Sequence, residues 1–161
     1  MSMDETTALT KPSVLDRLID EDPSSTRDRP RSHAQHLDEL RASVLRDVGA
    51  LLNTRRRPLP ADVGKEELES SLAAYGIVDF TTANLTSAPA RERFRAELEA
   101  TLRRFEPRFR SVHVEVLANS DQLDRTLRLR IDALLHAEPA PEPVVFDSVI
   151  DPVNGGFEVK G

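Results

Sequence analysis

The stretch that most constrains this chain is residues 87–116, where a helical period gives way to a strand period across a single proline. Phe94, Leu98, Leu102 and Phe105 recur at the spacing of one helix face. Ser87 is placed to cap that helix, and Pro89 falls in its first turn, where a missing N–H costs little. Pro107 ends the helix, because its ring disfavours helical geometry at Glu106 and it brings no N–H to a ladder. From Arg110 the period becomes two, with Val112, Val114 and Val116 on one face and His113 and Glu115 on the other. A carboxylate, Glu106, and a guanidinium, Arg108, therefore stand on either side of Pro107 at a rigid corner. Two readings are open: a charged pair aimed at something, or a helix stop flanked by solvated charges that contribute little.

Downstream of the corner the pattern is that of a sheet. Strands are expected over about 111–118 and 126–134, the second with Leu127, Leu129 and Ile131 alternating with Arg128, Arg130 and Asp132. Glu138 to Pro143 alternates proline with other residues and reads as a stiff spacer. Val144 to Ile150 forms a third strand. Asp151 to Gly156 forms a turn and Phe157 to Val159 a fourth strand, so the chain closes in a hairpin. Helices first and strands after predict an α+β fold: N-terminal helices packed on a small, mainly antiparallel four-stranded sheet with a C-terminal hairpin.

Upstream, Ser32 to Gln35 has the form of a capping box. The helix it opens carries Leu37, Leu40, Val44, Val48 and Leu51 on one stripe, widened by Leu45 and Leu52. Gly49 inside it is read as a point of close packing. Arg55-Arg56-Arg57 follows, either a phosphate or acidic-partner site or a helix C-terminus complemented by cations. Leu68, Leu72 and Tyr75 predict a short helix closed by Gly76, which leads through Ile77 to Phe80 into a Thr/Asn-rich loop. At the far N-terminus, Val14, Leu15, Leu18 and Ile19 share one face of a short amphipathic segment that begins at Pro12 and Ser13. The charged, Pro- and Ser-containing stretch 20–31 tethers it. The chain divides accordingly into a flexible segment, 1–31, with a docking element at 12–19, and one α+β domain, 32–161. Residues 12–19 either dock onto a partner or cover their own domain, being too short to hold a helix alone.

Whole-chain properties remove several function classes. A net charge of −6 argues against a general nucleic-acid binder, and the run of arginines from Arg91 to Arg110 is interrupted by acids at 92, 97 and 99. The absence of cysteine removes disulfide and thiolate chemistry and fits a reducing compartment. No signal peptide and no apolar run of membrane-spanning length are visible, so the chain is expected in the cytoplasm and without direct membrane insertion. His33 and His36 lack partners at ligand spacing, and no cofactor or metal is expected. A glycosidase needs two carboxylates across a cleft with one held protonated. The acids here sit beside cations, as in Arg91-Glu92-Arg93 and Lys65-Glu66-Glu67, and such neighbours favour the charged form. With no nucleophile elbow, phosphate-binding glycine loop or HExxH, the chain is read as non-enzymatic and without a catalytic residue.

Four stretches carry a resemblance. Pro12-Ser-Val-Leu-Asp-Arg-Leu-Ile19, Leu72-Ala-Ala-Tyr-Gly-Ile-Val-Asp-Phe80, Glu106-Pro-Arg-Phe109 and the closing Val145-Phe-Asp147 with Gly156-Phe157 occur in the order found in the TssE family. These are baseplate wedge subunits of the type VI secretion system, related to the wedge protein of contractile phage baseplates. Val78 departs from the proline that many members have there. The resemblance implies a structural subunit of a cytoplasmic baseplate docked at the inner membrane. It implies partners TssF, TssG and TssK in the wedge and TssB/TssC in the sheath, whose fold the small sheet imitates. It implies that Glu106, Pro107 and Arg108 serve assembly; Val14, Leu15 and Leu18, on the apolar face of the tethered segment, are the residues expected to take part in docking. Arg108 would pair with Glu106 or with an acid on another subunit, and Arg108→Ala is expected to fold normally yet fail to assemble. Anti-adaptor regulators of the same fold are the alternative, and a lysozyme-like glycosidase a lesser one; fold does not fix function.

Overall fold

A computed structural model describes residues 14–18, 24, 32–58, 68, 70–80, 85, 87–117, 126–137, 140–150 and 155–161, without the side chains of Leu15 and Arg17. The start of the N-terminal segment, nearly all of the tether, the Thr/Asn-rich loop, the β1–β2 connection, part of the proline spacer and the closing turn lie outside the described residues. The elements are α1 (Val14–Leu18), α2 (His33–Asn53), a 3-10 turn (Leu72–Ala74), α3 (Ala88–Phe105), β1 (Phe109–Leu117), β2 (Leu127–Leu135), β3 (Glu142–Ile150) and β4 (Phe157–Lys160). The order is the expected one for an α+β fold.

Both long helices start as their sequences require. The Ser32 hydroxyl accepts from the Gln35 N–H at 3.3 Å while the Gln35 side chain accepts from the Ser32 N–H at 2.8 Å, a reciprocal capping box. Ser87 accepts from the Ala90 N–H at 3.3 Å, with Pro89 in the first turn. On α2 the buried face is Leu40, Ser43, Val44, Val48, Leu51 and Leu52. On α3 it is Leu98, Thr101 and Leu102, flanked by half-buried Phe94 and Phe105.

The four strands form an antiparallel meander in the order β1-β2-β3-β4. Alternation puts Val112 and Val114, then Leu129, Ile131, Ala133 and Leu135, then Val144, Phe146 and Ile150, and finally Phe157 on the covered face. The helices pack there, α3 against β1 and α2 against β4. The opposite face carries charge and the exposed Val145 and Val149. Strands β1 and β3 each start two residues earlier than their alternation indicates. A register shift between Phe109 and Ser111 breaks the period at the start of β1, so hydrogen bonding outruns the sequence pattern there.

Asn53, the last residue of α2, is missed by hydrophobic pattern alone. Its side chain donates to the Phe157 carbonyl and accepts from the Phe157 N–H, each at 3.0 Å, so an amide on a helix end mimics a ladder partner and holds β4 in place. Phe157 in turn meets Phe80 edge to face at 5.5 Å, and Phe80 meets Phe94 at 5.0 Å.

Two expectations are corrected. A Cβ on Gly49 would meet nothing within 4 Å, so this glycine does not mark close packing. Leu68 is helical, but Leu72 is 87% exposed and begins a 3-10 turn, Leu72–Ala74, in which Ala74, not Leu72, enters the core. Val116, at the far end of β1, is half-buried and packs against the core on the same face as Val112 and Val114. Gly76 does have the left-handed conformation its position calls for, with φ +100°.

Candidate functional site

The corner that the sequence singles out is built by three local bonds. The Glu106 N–H closes the last turn of α3 on the Leu102 carbonyl at 2.9 Å. The Glu106 carbonyl then accepts from the Phe109 N–H at 3.1 Å, making a tight turn around Pro107. The Glu106 side chain folds over that turn and accepts from the backbone N–H of Arg108 at 3.2 Å. The carboxylate is thereby aimed inward, and its side chain is only 5% exposed.

A buried carboxylate needs a cation, and Arg108 supplies it as a fork. Its Nε donates to Glu106 Oε1 at 2.6 Å and its Nη2 to Oε2 at 2.5 Å. The same guanidinium reaches α2: Nη2 donates to Asp47 Oδ2 at 2.7 Å and Nη1 to Ser43 Oγ at 2.9 Å. Burial works to lower the Arg108 pKa, but its bonds to Glu106 and Asp47 outweigh burial and hold it above the ordinary value, so the fork stays charged. Lysine, a point charge, has no equivalent of this geometry.

The network continues beyond α2. Arg46, one turn from Ser43, bonds Asp16 of α1 at 2.8 Å and Asp47 at 3.0 Å. These two aspartates, Asp16 first, raise its pKa. Ser43 donates its hydroxyl proton to Asp16 at 2.5 Å. Three carboxylates, Asp16, Asp47 and Glu106, thus face two guanidiniums, Arg46 and Arg108, across α1, α2 and the corner. Neither Asp47 nor Ser43 is singled out by sequence reasoning. The available signal was that both lie on the apolar stripe side of α2, Ser43 among residues that are otherwise aliphatic.

The burial of Glu106 bears on what Arg108→Ala should do: removing the arginine would leave the carboxylate without its cation inside the fold, so a loss of stability is expected as well as a loss of assembly. Arg108 takes the first of its two anticipated partners, Glu106, and a second on α2. Pro107 is exposed at the tip of the turn. Val14 and Leu18 are 66% and 76% exposed, while Asp16 between them is turned to α2; the Leu15 side chain lies outside the described residues. Among the described residues of this element, Val14 and Leu18 do not cover the domain's core.

The arginines after α2 have separate employment. Arg55 lies over the Phe80 ring at 4.6 Å and donates to the Gly155 carbonyl, and Arg56 pairs with Glu97 at 3.1 Å. With Arg57 and Arg104 they rim an open cavity of about 650 Å³ beside Asp79 and Glu97. On α3, Arg95 pairs with Glu92 and Glu99, and Arg103 with Glu99. Among the described residues no group of three or more His, Asp or Glu is placed to hold a metal ion, and no helix is long and apolar enough to cross a membrane.

The family of the baseplate wedge protein gp25 matches residues 38–140, well over half of the chain. The match takes in the 72–80 stretch, the whole of α3, the corner and the first two strands. No curated protein matches the chain. The chain belongs to the baseplate wedge protein gp25 family, which includes the TssE subunits, and its role is that of a structural component that meets other proteins of a phage-type baseplate.

Proposed function

We propose that this chain is the TssE-type subunit of a type VI secretion baseplate wedge, working without catalysis in the cytoplasm at a baseplate docked on the inner membrane. It joins TssF, TssG and TssK and carries the base of the TssB/TssC sheath. The observation that supports this most is the Glu106–Arg108 fork, buried at the corner beneath an exposed Pro107 within the family-matched stretch. A surface turn held this firmly presents one shape to a partner, which lowers the ordering cost of association. The stretch before Ser32 acts as a docking element through Val14, Leu15 and Leu18, and residues 32–161 form the domain that it serves. The sheet offers attachment to the sheath by strand addition. Strand β4 pairs only with Asp147–Ile150 of β3, and no described strand pairs with the Glu142–Phe146 half on that side.

A pull-down of the tagged chain from its own host tests the assignment. TssF, TssG and TssK should co-purify. Recovery of a proteolytic adaptor protein, with no wedge protein, would replace this reading with the anti-adaptor one.

A further inference from the structure

The helix α1 has five residues, far too few to be stable alone, and its described apolar side chains are exposed. Its described tie to the domain is polar: Asp16 accepts from Arg46 Nη2 at 2.8 Å and from the Ser43 hydroxyl at 2.5 Å. A serine hydroxyl has one proton and two lone pairs. At Ser43 both lone pairs are occupied, by Arg108 Nη1 at 2.9 Å and Arg46 Nη2 at 3.3 Å, so the proton is left for Asp16. Were Arg108 removed, that hydroxyl would be free to turn toward the carboxylates Arg108 had held.

We propose that Arg108 is a positioning residue for α1: by donating to Ser43 and neutralising Asp47 and Glu106, it fixes the hydroxyl that latches Asp16 and so holds Val14 and Leu18 outward at the surface. The corner and the N-terminal element are then one coupled unit. This coupling goes beyond the assembly reading and is a property of the free protein, so it stands or falls without any wedge partner.

The absence of cysteine allows two spin labels to be placed in the full chain, through Leu18→Cys and Glu115→Cys, both exposed positions. With all other residues native, the label distance should be single and narrow. Asp16→Ala, Ser43→Ala and Arg108→Lys should each broaden it, shifting the docked-to-released ratio by about tenfold or more, as loss of one charge-assisted bond implies. Arg130→Ala, which breaks an ion pair with Asp147 on the open sheet face, should leave it narrow. Ser43→Ala leaves the Glu106–Arg108 pair intact and keeps the test in force should Arg108→Lys fail to fold. A broad distance in the native background, or a narrow one that survives Ser43→Ala, would overturn the latch.

Discussion

The Arg108 guanidinium and the Glu106 carboxylate meet at 2.5 and 2.6 Å as a two-pronged pair, with the acid 5% and the base 15% exposed. The pair joins the end of α3 to the start of β1, and through Asp47 it joins both to α2. Breaking one side of such a pair strands the other. Arg108→Ala is expected to lower stability by about 3–5 kcal/mol, read from the urea midpoint at constant slope. Glu106→Gln should fall in the same direction. The double variant should lose much less than the two single losses added together, because the interaction is shared. Additive losses would mean that the two side chains do not act on each other.

Two glycines make opposite demands. Gly49 sits inside α2 with open space where a Cβ would go, so Gly49→Ala should raise stability by about 0.5–1 kcal/mol through helix propensity alone. Gly76 has φ +100°, and a Cβ there would stand 2.4 Å from the Thr54 carbonyl oxygen, which itself accepts from the Ile77 N–H. Gly76→Ala must break that link or strain the backbone, and a loss of about 1–3 kcal/mol or more is expected in thermal unfolding.

Tyr75 is the only tyrosine, so its phenolate absorbance reports one site. It packs edge to face on Phe105 at 5.4 Å. Burial, followed by the negative charges of Asp47 and Glu106, pushes its pKa above the ordinary value of 10.0. The folded protein therefore keeps this proton longer than the unfolded chain, and the stability it contributes is lost as pH rises from 10.0 through the folded value. Asp47→Asn should move the midpoint only part of the way back, since burial is the larger cause.

Glu99 supplies the acid side. Burial would raise its pKa, but the Val114 N–H at 3.3 Å and the cations of Arg95 and Arg103 outweigh burial and hold it below the ordinary 4.5. Its contribution is present above pH 4.5 and disappears as pH falls through the folded value. Glu99→Gln should flatten the fall of the thermal midpoint in that window while leaving the alkaline side as it is. An unchanged acid limb would show that Glu99 is not held by these partners.

The elements were legible because each obeys a local rule: the stripe Phe94–Leu98–Leu102–Phe105, the caps Ser32 and Ser87, the alternation through β1 and β2, and the proline at the corner. The pairing of Glu106 with Arg108 was half legible, since spacing put both at one turn but left the arginine's partner open. What stayed hidden is tertiary. Asp47 and Ser43 lie about sixty residues from Arg108 in sequence, and Asn53 more than a hundred from Phe157. No period announces a polar side chain that satisfies a distant backbone or ion. Gly49 misleads for the opposite reason: it is a local irregularity with no close neighbour to explain it.

The proposed assembly role of the corner needs the forked geometry of Arg108 and not its charge alone. Co-purification of the native chain and of Arg108→Lys with the TssF–TssG complex, at a temperature where both are folded, separates the two. Lysine keeps the charge but has three donors, on one point, for the four side-chain bonds that the fork makes to Glu106, Asp47 and Ser43. Wedge recovery should drop at least about tenfold with Arg108→Lys, a difference of roughly 1.4 kcal/mol in affinity. Equal recovery from a folded Arg108→Lys protein would contradict it.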